Sequence, residues 1–180
     1  MYYVLLLRGV NVGGKHKVVM SELKNSLKSL DYHRVSSYIN SGNLFFYSEK
    51  DKKILRNEVT IFLQSTYEFP IPFALYEREE LLNQNLNLPD WWQADFARKD
   101  VLFYTNDDQK MAMQDFVEEI ELNEEAVYIG EYATFWAKQN EASFLKTAYH
   151  QKLLKTPLYP HITIRNGKTY TKIIQLLNED

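Results

Sequence analysis

The sequence predicts an α+β protein made of two successive β-α-β-β-α-β units with antiparallel sheets and a closing C-terminal helix. Three observations predict it. Short apolar runs alternate with stretches of helical period, the same order of elements occurs twice, and turns at Ser41-Gly42 and Gly130-Glu131 join strands as hairpins. The chain has 180 residues, 45% hydrophobic and 25% charged, which is the usage of folded domains rather than of disordered segments.

In the first half, Tyr2–Leu7 is apolar throughout and reads as a strand covered on both faces. A glycine-rich loop follows. Met20, Leu23, Leu27 and Leu30 recur at helical spacing, with Ser21 as an N-cap. A second strand covers about Arg34–Asn40, and a third, Leu44–Tyr47, follows the turn. Asp51 caps a helix whose apolar face is Leu55, Val59 and Phe62. The fourth strand, Ile71–Tyr76, adjoins Pro70 and contains Pro72, which places it at a sheet edge because proline donates no ladder hydrogen bond.

The second half repeats this order. Arg78–Leu86 reads as a helix and Pro89–Trp92 as a connector. A strand at Val101–Thr105 precedes a helix capped by Asp107, with Met113, Phe116, Val117 and Ile120 inward. The strands Ala126–Ile129 and Tyr132–Lys138 form a hairpin. A helix is expected over Ala142–Leu154. The strand His161–Arg165, placed at an edge by Pro160, leads to a last helix with Tyr170, Ile173, Ile174 and Leu177 on one face. The expected organisation is a first subdomain over residues 1–77, a connector over 78–98, and a second subdomain over 99–180 carrying the terminal helix. Each is a split β-α-β plait of the ferredoxin-like kind.

In such a plait the first and third strands are antiparallel neighbours, so the end of one lies beside the start of the other. The loop after Leu7 is therefore expected next to Ser41-Gly42-Asn43, although some thirty residues separate them in the chain.

Composition removes several chemistries. There are no cysteines, which excludes disulfides, thiolate metal sites and a cysteine nucleophile and fits a reducing, cytoplasmic setting. The apolar N-terminal run is too short for a signal sequence or a membrane span. His16, His33, His150 and His161 show no metal-ligand spacing, so no metal is expected. No paired carboxylates and no nucleophile-elbow motif suggest a catalytic centre, and the sequence names no cofactor. Charge is uneven. Residues 1–60 carry ten Lys/Arg against five Asp/Glu, residues 61–135 four against sixteen, and residues 136–180 seven against three. Two basic ends flank an acidic middle, a pattern that fits an anion-facing surface or simply solvated faces of opposite sign.

Gly9-Val-Asn-Val-Gly-Gly14-Lys15 has the spacing of a phosphate-binding loop, but His16 stands where that loop needs Ser or Thr to help hold magnesium. Val18-Val19 precede the helix, and the hairpin demands antiparallel pairing, so a nucleotide hydrolase is not expected. What survives is a glycine-rich turn whose backbone N–H groups and cations Arg8, Lys15 and Lys17 suit an anion. Arg165-Asn166-Gly167-Lys168-Thr169 is a second polar cluster between strand and helix, with Thr169 as its cap. Phe45, Phe46 and Tyr47 on the third strand suggest an RNA-stacking sheet, but the covered faces of the first strand oppose that. Trp91 and Trp92 serve either as a plug between the halves or as an aromatic ligand wall.

Three segments resemble, in order, the signatures of the bacterial domain-of-unknown-function family 1697. They are Leu7–Lys15 with Met20, Tyr38-Ile-Asn-Ser-Gly-Asn43, and Thr163-Ile-Arg-Asn166 with Thr169. The resemblance spans nearly the whole chain and implies a small cytosolic protein of paired ferredoxin-like subdomains with no assigned activity. That family commonly has an aromatic residue after the Arg-Asn pair, where this chain has Gly167.

The expected site is a composite of Arg8, Gly9, Asn11, Gly13, Gly14 and Lys15 with Ser41, Gly42 and Asn43, joined by Arg165, Asn166 and Thr169, for a small anionic ligand. The alternatives are a nucleic-acid backbone bound by the basic ends, or a protein-interaction module. No membrane partner is expected.

Overall fold

The structure, a computed structural model, describes residues 1–140 and 144–179. It divides into two compact units, residues 1–80 and 81–180.

In the first unit, β1 (Tyr2–Leu7), β2 (His33–Tyr38), β3 (Asn43–Tyr47) and β4 (Phe73–Glu77) form one antiparallel sheet in the order β2-β3-β1-β4. Every residue of β1 is buried, as an apolar run at the sheet centre should be. Helices α1 (Met20–Ser29) and α2 (Lys52–Thr66) supply Met20, Leu23, Leu27, Leu55, Val59 and Leu63 to a core with Tyr3, Leu5, Leu7, Leu44 and Phe46. On the opposite sheet face Val4, Leu6, Phe45 and Ala74 are equally buried, so this is no open platform for stacked bases.

The second unit repeats the plan. Its strands β5 (Arg98–Tyr104), β6 (Glu125–Ile129), β7 (Ala133–Lys138) and β8 (Ile162–Asn166) run antiparallel in the order β6-β7-β5-β8. One face packs Leu102, Tyr104 and Trp136 against Met113 of α4 (Gln109–Glu118) and Ala148 and Tyr149 of the short α5 (Ala148–Gln151). The other face is covered by α6 (Gly167–Glu179), whose Tyr170 ring meets Phe103 at 6.2 Å and Phe135 at 5.3 Å. Helix α3 (Arg78–Leu86) carries the chain from the first unit into the second. No helix of the described residues is long and apolar enough to cross a membrane.

Several element boundaries differ from the sequence reading, each for a local reason. Ser21 lies inside α1, and the capping position is held by Val19, which offers no side-chain acceptor. Asp51 does cap α2, accepting from Ile54 N at 3.0 Å. Strand β2 stops at Tyr38 because Ile39 turns to φ 50°. Strand β4 starts after Pro72, at the sheet edge. Strand β5 begins three residues earlier than expected, since Arg98, Lys99 and Asp100 pair with Lys138, Ala137 and Trp136. Asp107 does not start α4. The residue before that helix is Asp108, and Gln109 Oε1 closes the turn by accepting from Thr105 N at 2.8 Å.

The helix expected over Ala142–Leu154 begins outside the described residues at 142–143 and is broken thereafter. A 3-10 turn at Phe144–Lys146 precedes α5, and another follows at Leu153–Lys155. Thr147 is extended and caps α5 through His150 N, while the Glu125 carboxylate accepts from Ala148 N at 2.8 Å and Tyr149 N at 3.2 Å. A helix that restarts on two such acceptors cannot run through them.

Candidate functional site

The glycine-rich loop is a miniature hairpin. Lys15 N donates to Val12 O at 3.1 Å and Asn11 N to His16 O at 3.0 Å, leaving Gly13 and Gly14 as the two central residues. Both have positive φ, 58° and 73°, as a type I′ turn requires. Gly9, Asn11 and His16 also adopt positive φ. For Asn11 and His16 that conformation is unfavourable and must be held by neighbours. His16 stacks on Phe69 with centroids 4.5 Å apart, and its Nδ1 lies 3.2 Å from Gly9 O. The residue that breaks the phosphate-loop pattern thus pins the hairpin. No helix starts at Lys15, because α1 begins only at Met20, so phosphate-loop geometry is not formed.

The side chain of Asn11 is the centre of the anchorage. Its Nδ2 donates to Val18 O and to Asn40 O, both at 2.8 Å, and its Oδ1 accepts from Val18 N at 2.8 Å. The backbone adds Leu7 N to Gly42 O and Arg8 N to Pro72 O, each 2.8 Å. The loop and the Ser41–Asn43 turn therefore meet, as the pairing of Leu6 with Asn43 dictates. Gly42 has φ 76°, and a Cβ there would lie 2.7 Å from Leu7 Cβ, so only glycine fits the junction. Asn43 is fully buried and spends its amide on Tyr38 O and Ser41 Oγ, each 3.0 Å. Asn11, Gly42 and Asn43 thus build the scaffold, whereas Gly9, Gly13, Gly14, Lys15, His16 and Lys17 are exposed and Arg8 is half-buried. From Met1 to Ser21 the sequence holds Arg8, Lys15 and Lys17 and no carboxylate.

The residues expected from the second half lie in the second unit. Arg165 is buried, with Nη1 donating to Thr163 Oγ1 at 2.9 Å and to Ile164 O at 2.8 Å. Burial pushes its guanidinium down to about 10. Thr169 is buried and is not the cap of α6. That role falls to Asn166, whose Oδ1 accepts from Thr169 N at 2.8 Å. Asn166 itself is exposed at the head of the helix.

One buried charge cluster gave no motif. Asp100 Oδ2 accepts from Lys138 Nζ at 2.7 Å and from Arg98 Nε at 2.9 Å, and Lys138 Nζ lies 3.4 Å from the Tyr149 ring centre. Burial pushes Lys138 down to about 8, against the opposing pull of Asp100. The available signal was a lysine at the end of an otherwise apolar strand. Among the described residues no group of three or more His, Asp or Glu is placed to hold a metal ion.

The family described as a protein of unknown function (DUF1697) matches residues 1–135, which include the loop and the turn. No curated protein matches the chain. The solved structure of the conserved bacterial protein SP0830 from Streptococcus pneumoniae is similar, with 48% sequence identity and a TM-score of 0.93. The match covers 98% of each chain.

Proposed function

The chain belongs to the DUF1697 family of proteins of unknown function, and on that premise we propose that it binds a small anionic ligand at Arg8–Lys15 and the adjoining Ser41–Asn43 turn. The observation that carries this reading is the three-bond clamp of Asn11 across the loop. A polar loop with five positive-φ residues in eight would be floppy if left alone. Here it is fixed by the side chain of Asn11, the ring stack of His16 and the sheet beneath it. The central N–H groups of a two-residue hairpin turn take no part in its ladder, which leaves those of Gly13 and Gly14 for an acceptor. Lys15 is exposed beside them, with Arg8 at the base of the loop. A site of fixed donors loses little ordering entropy on binding. The missing cysteines accord with a cytoplasmic setting.

A thermal-shift screen of sugar phosphates, nucleotides, pyrophosphate and short oligonucleotides tests this. A ligand at a hundred times its dissociation constant adds about 2.7 kcal/mol of stability. Lys15→Ala with Lys17→Ala alters only exposed side chains and should abolish that gain. Equal stabilisation of the variant by every ligand that stabilises the parent would refute the assignment. A nucleic-acid backbone as the true ligand would announce itself by selection of the oligonucleotides and a steep loss of affinity with salt.

A further inference from the structure

The second unit contains a pocket of about 480 Å³, lined by the segment around residues 92–99 and the head of α6. None of its described lining residues belongs to the glycine loop. The antiparallel pairing of β5 with β8 creates it, because Asp100 opposite Asn166 brings the entry of one strand beside the exit of the other. The two edges touch closely, since a Cβ on Gly167 would lie 3.0 Å from Lys99 Cβ.

Its lining has two features. Among the described lining residues three are cationic, Arg98, Lys99 and Lys168, and none is acidic. This occurs in a unit with more Asp and Glu than Lys and Arg. Asp95, beside Phe96 in the chain, is exposed and is not one of the lining residues, and Asp100, beside Lys99, is buried and accepts from both Arg98 and Lys138. Lys99 does not wave free. Its Nζ donates to Trp92 O at 2.7 Å and lies 5.5 Å from the Trp92 ring centre. An ammonium has three donors, so that bond leaves others for a ligand. The first turn of α6 adds a positive dipole end at Gly167 and Lys168. The second feature is aromatic. Trp92 and Phe96 line the pocket, and Trp92 is held edge-to-face on Phe135 at 5.0 Å and on Tyr170 at 6.2 Å. A ring fixed in this way offers apolar contact at little entropic cost.

We propose that this pocket is a second binding site, for a small molecule that joins an anionic group to a flat ring and has about the size of a mononucleotide. The volume lies in the usual range for such ligands, about 300–1,000 Å³. The cations and the helix head take the anion, and Trp92 and Phe96 take the ring.

The test uses the full chain, titrated with AMP, GMP and phenyl phosphate, and with adenosine and inorganic phosphate as the two halves of the ligand. Affinity is measured by calorimetry, and position by the amide signals of the glycines. The expected result is saturable binding of at least one aromatic phosphate that moves Gly167, with each half about tenfold weaker or more. Lys168→Ala, at an exposed position, should weaken it about tenfold, and Lys99→Met combined with it should weaken it further. Lys168→Ala alone decides the matter if the double variant unfolds. Adenosine binding as tightly as AMP would overturn the proposal. So would an unchanged affinity of Lys168→Ala, or no binding of any aromatic phosphate at about 10 mM. Ligand-induced shifts at Gly9, Gly13, Gly14 and Gly42 with Gly167 unmoved would assign the ligand to the loop and equally overturn the pocket. Failure of the loop reading leaves the Gly167 result standing, so the two can be told apart.

Discussion

Asn11 and Gly42 hold the loop against the turn by different means, and substitution separates them. Asn11→Ala removes three hydrogen bonds and leaves Val18 N, Val18 O and Asn40 O to find other partners. A loss of about 1–3 kcal/mol is expected in chemical denaturation. Gly42→Ala meets Leu7 Cβ at 2.7 Å in a left-handed backbone, and a loss of about 2–4 kcal/mol is expected from overpacking and φ strain together. Lys138 makes a prediction in pH. Its folded value is near 8, below the unfolded 10.5, so between these the unfolded chain binds more protons. Stability from this group therefore rises as pH goes from 8 to 10.5, and its full burial penalty applies below 8. Asp100, Arg98 and Glu125 act on this titration. Lys138→Met should flatten that rise relative to the parent, as followed by urea midpoints between pH 8 and 10. At this scale the sequence showed the loop and the turn as candidates but not their division of labour. Asn11 and Asn43 read as ligand-facing polar residues; in the structure the Asn11 amide bonds Val18 and Asn40 backbone and the Asn43 amide bonds Tyr38 O and Ser41 Oγ. Their hydrogen-bond partners lie across a strand pairing, beyond the reach of local composition.

Helix ends carry the next set of expectations. Asp51→Ala and Asn166→Ala each remove a side-chain cap and should cost about 1 kcal/mol. Ser21→Ala should change stability by less than about 0.5 kcal/mol, because Ser21 is not a cap. Val19→Asp puts an acceptor at the uncapped start of α1 and should raise stability by up to about 1 kcal/mol. Thermal or urea midpoints of the four variants check these together. Strand identities and the edge positions of the proline-flanked strands were legible because short apolar runs bounded by turns and prolines speak locally, as at Pro70, Pro72 and Pro160. The helix expected over Ala142–Leu154 was not legible as broken. Its apolar spacing is helical, yet Glu125, some twenty residues upstream, supplies the acceptors that restart the helix at Ala148.

For the whole molecule, the doubled β-α-β-β-α-β order gave both sheets and their strand order, and with them the meeting of loop and turn. The same rule applied to the first and fourth strands of the second unit would have placed residues 92–99 beside the head of α6. The pocket there was missed because Trp92, Lys99 and Lys168 form no motif in sequence and converge only through the pairing of Asp100 with Asn166. Uneven charge was visible at once, but its meaning depends on the fold: the cations of the loop stand on a fixed hairpin, whereas Arg165 is buried in its own strand. The chain's six glycines provide the most direct measurement of the central claim. Four of them, Gly9, Gly13, Gly14 and Gly42, lie in the loop and turn, Gly167 lies in the pocket, and Gly130 in neither. Their amide signals should be followed during titration of the full chain with pyrophosphate and glucose 6-phosphate. The account predicts saturable movement of Gly13 and Gly14, with Gly130 still, for at least one of these anions, and loss of that movement in Lys15→Ala/Lys17→Ala. Signals of the four loop and turn glycines that stay fixed at about 10 mM of either anion would contradict it.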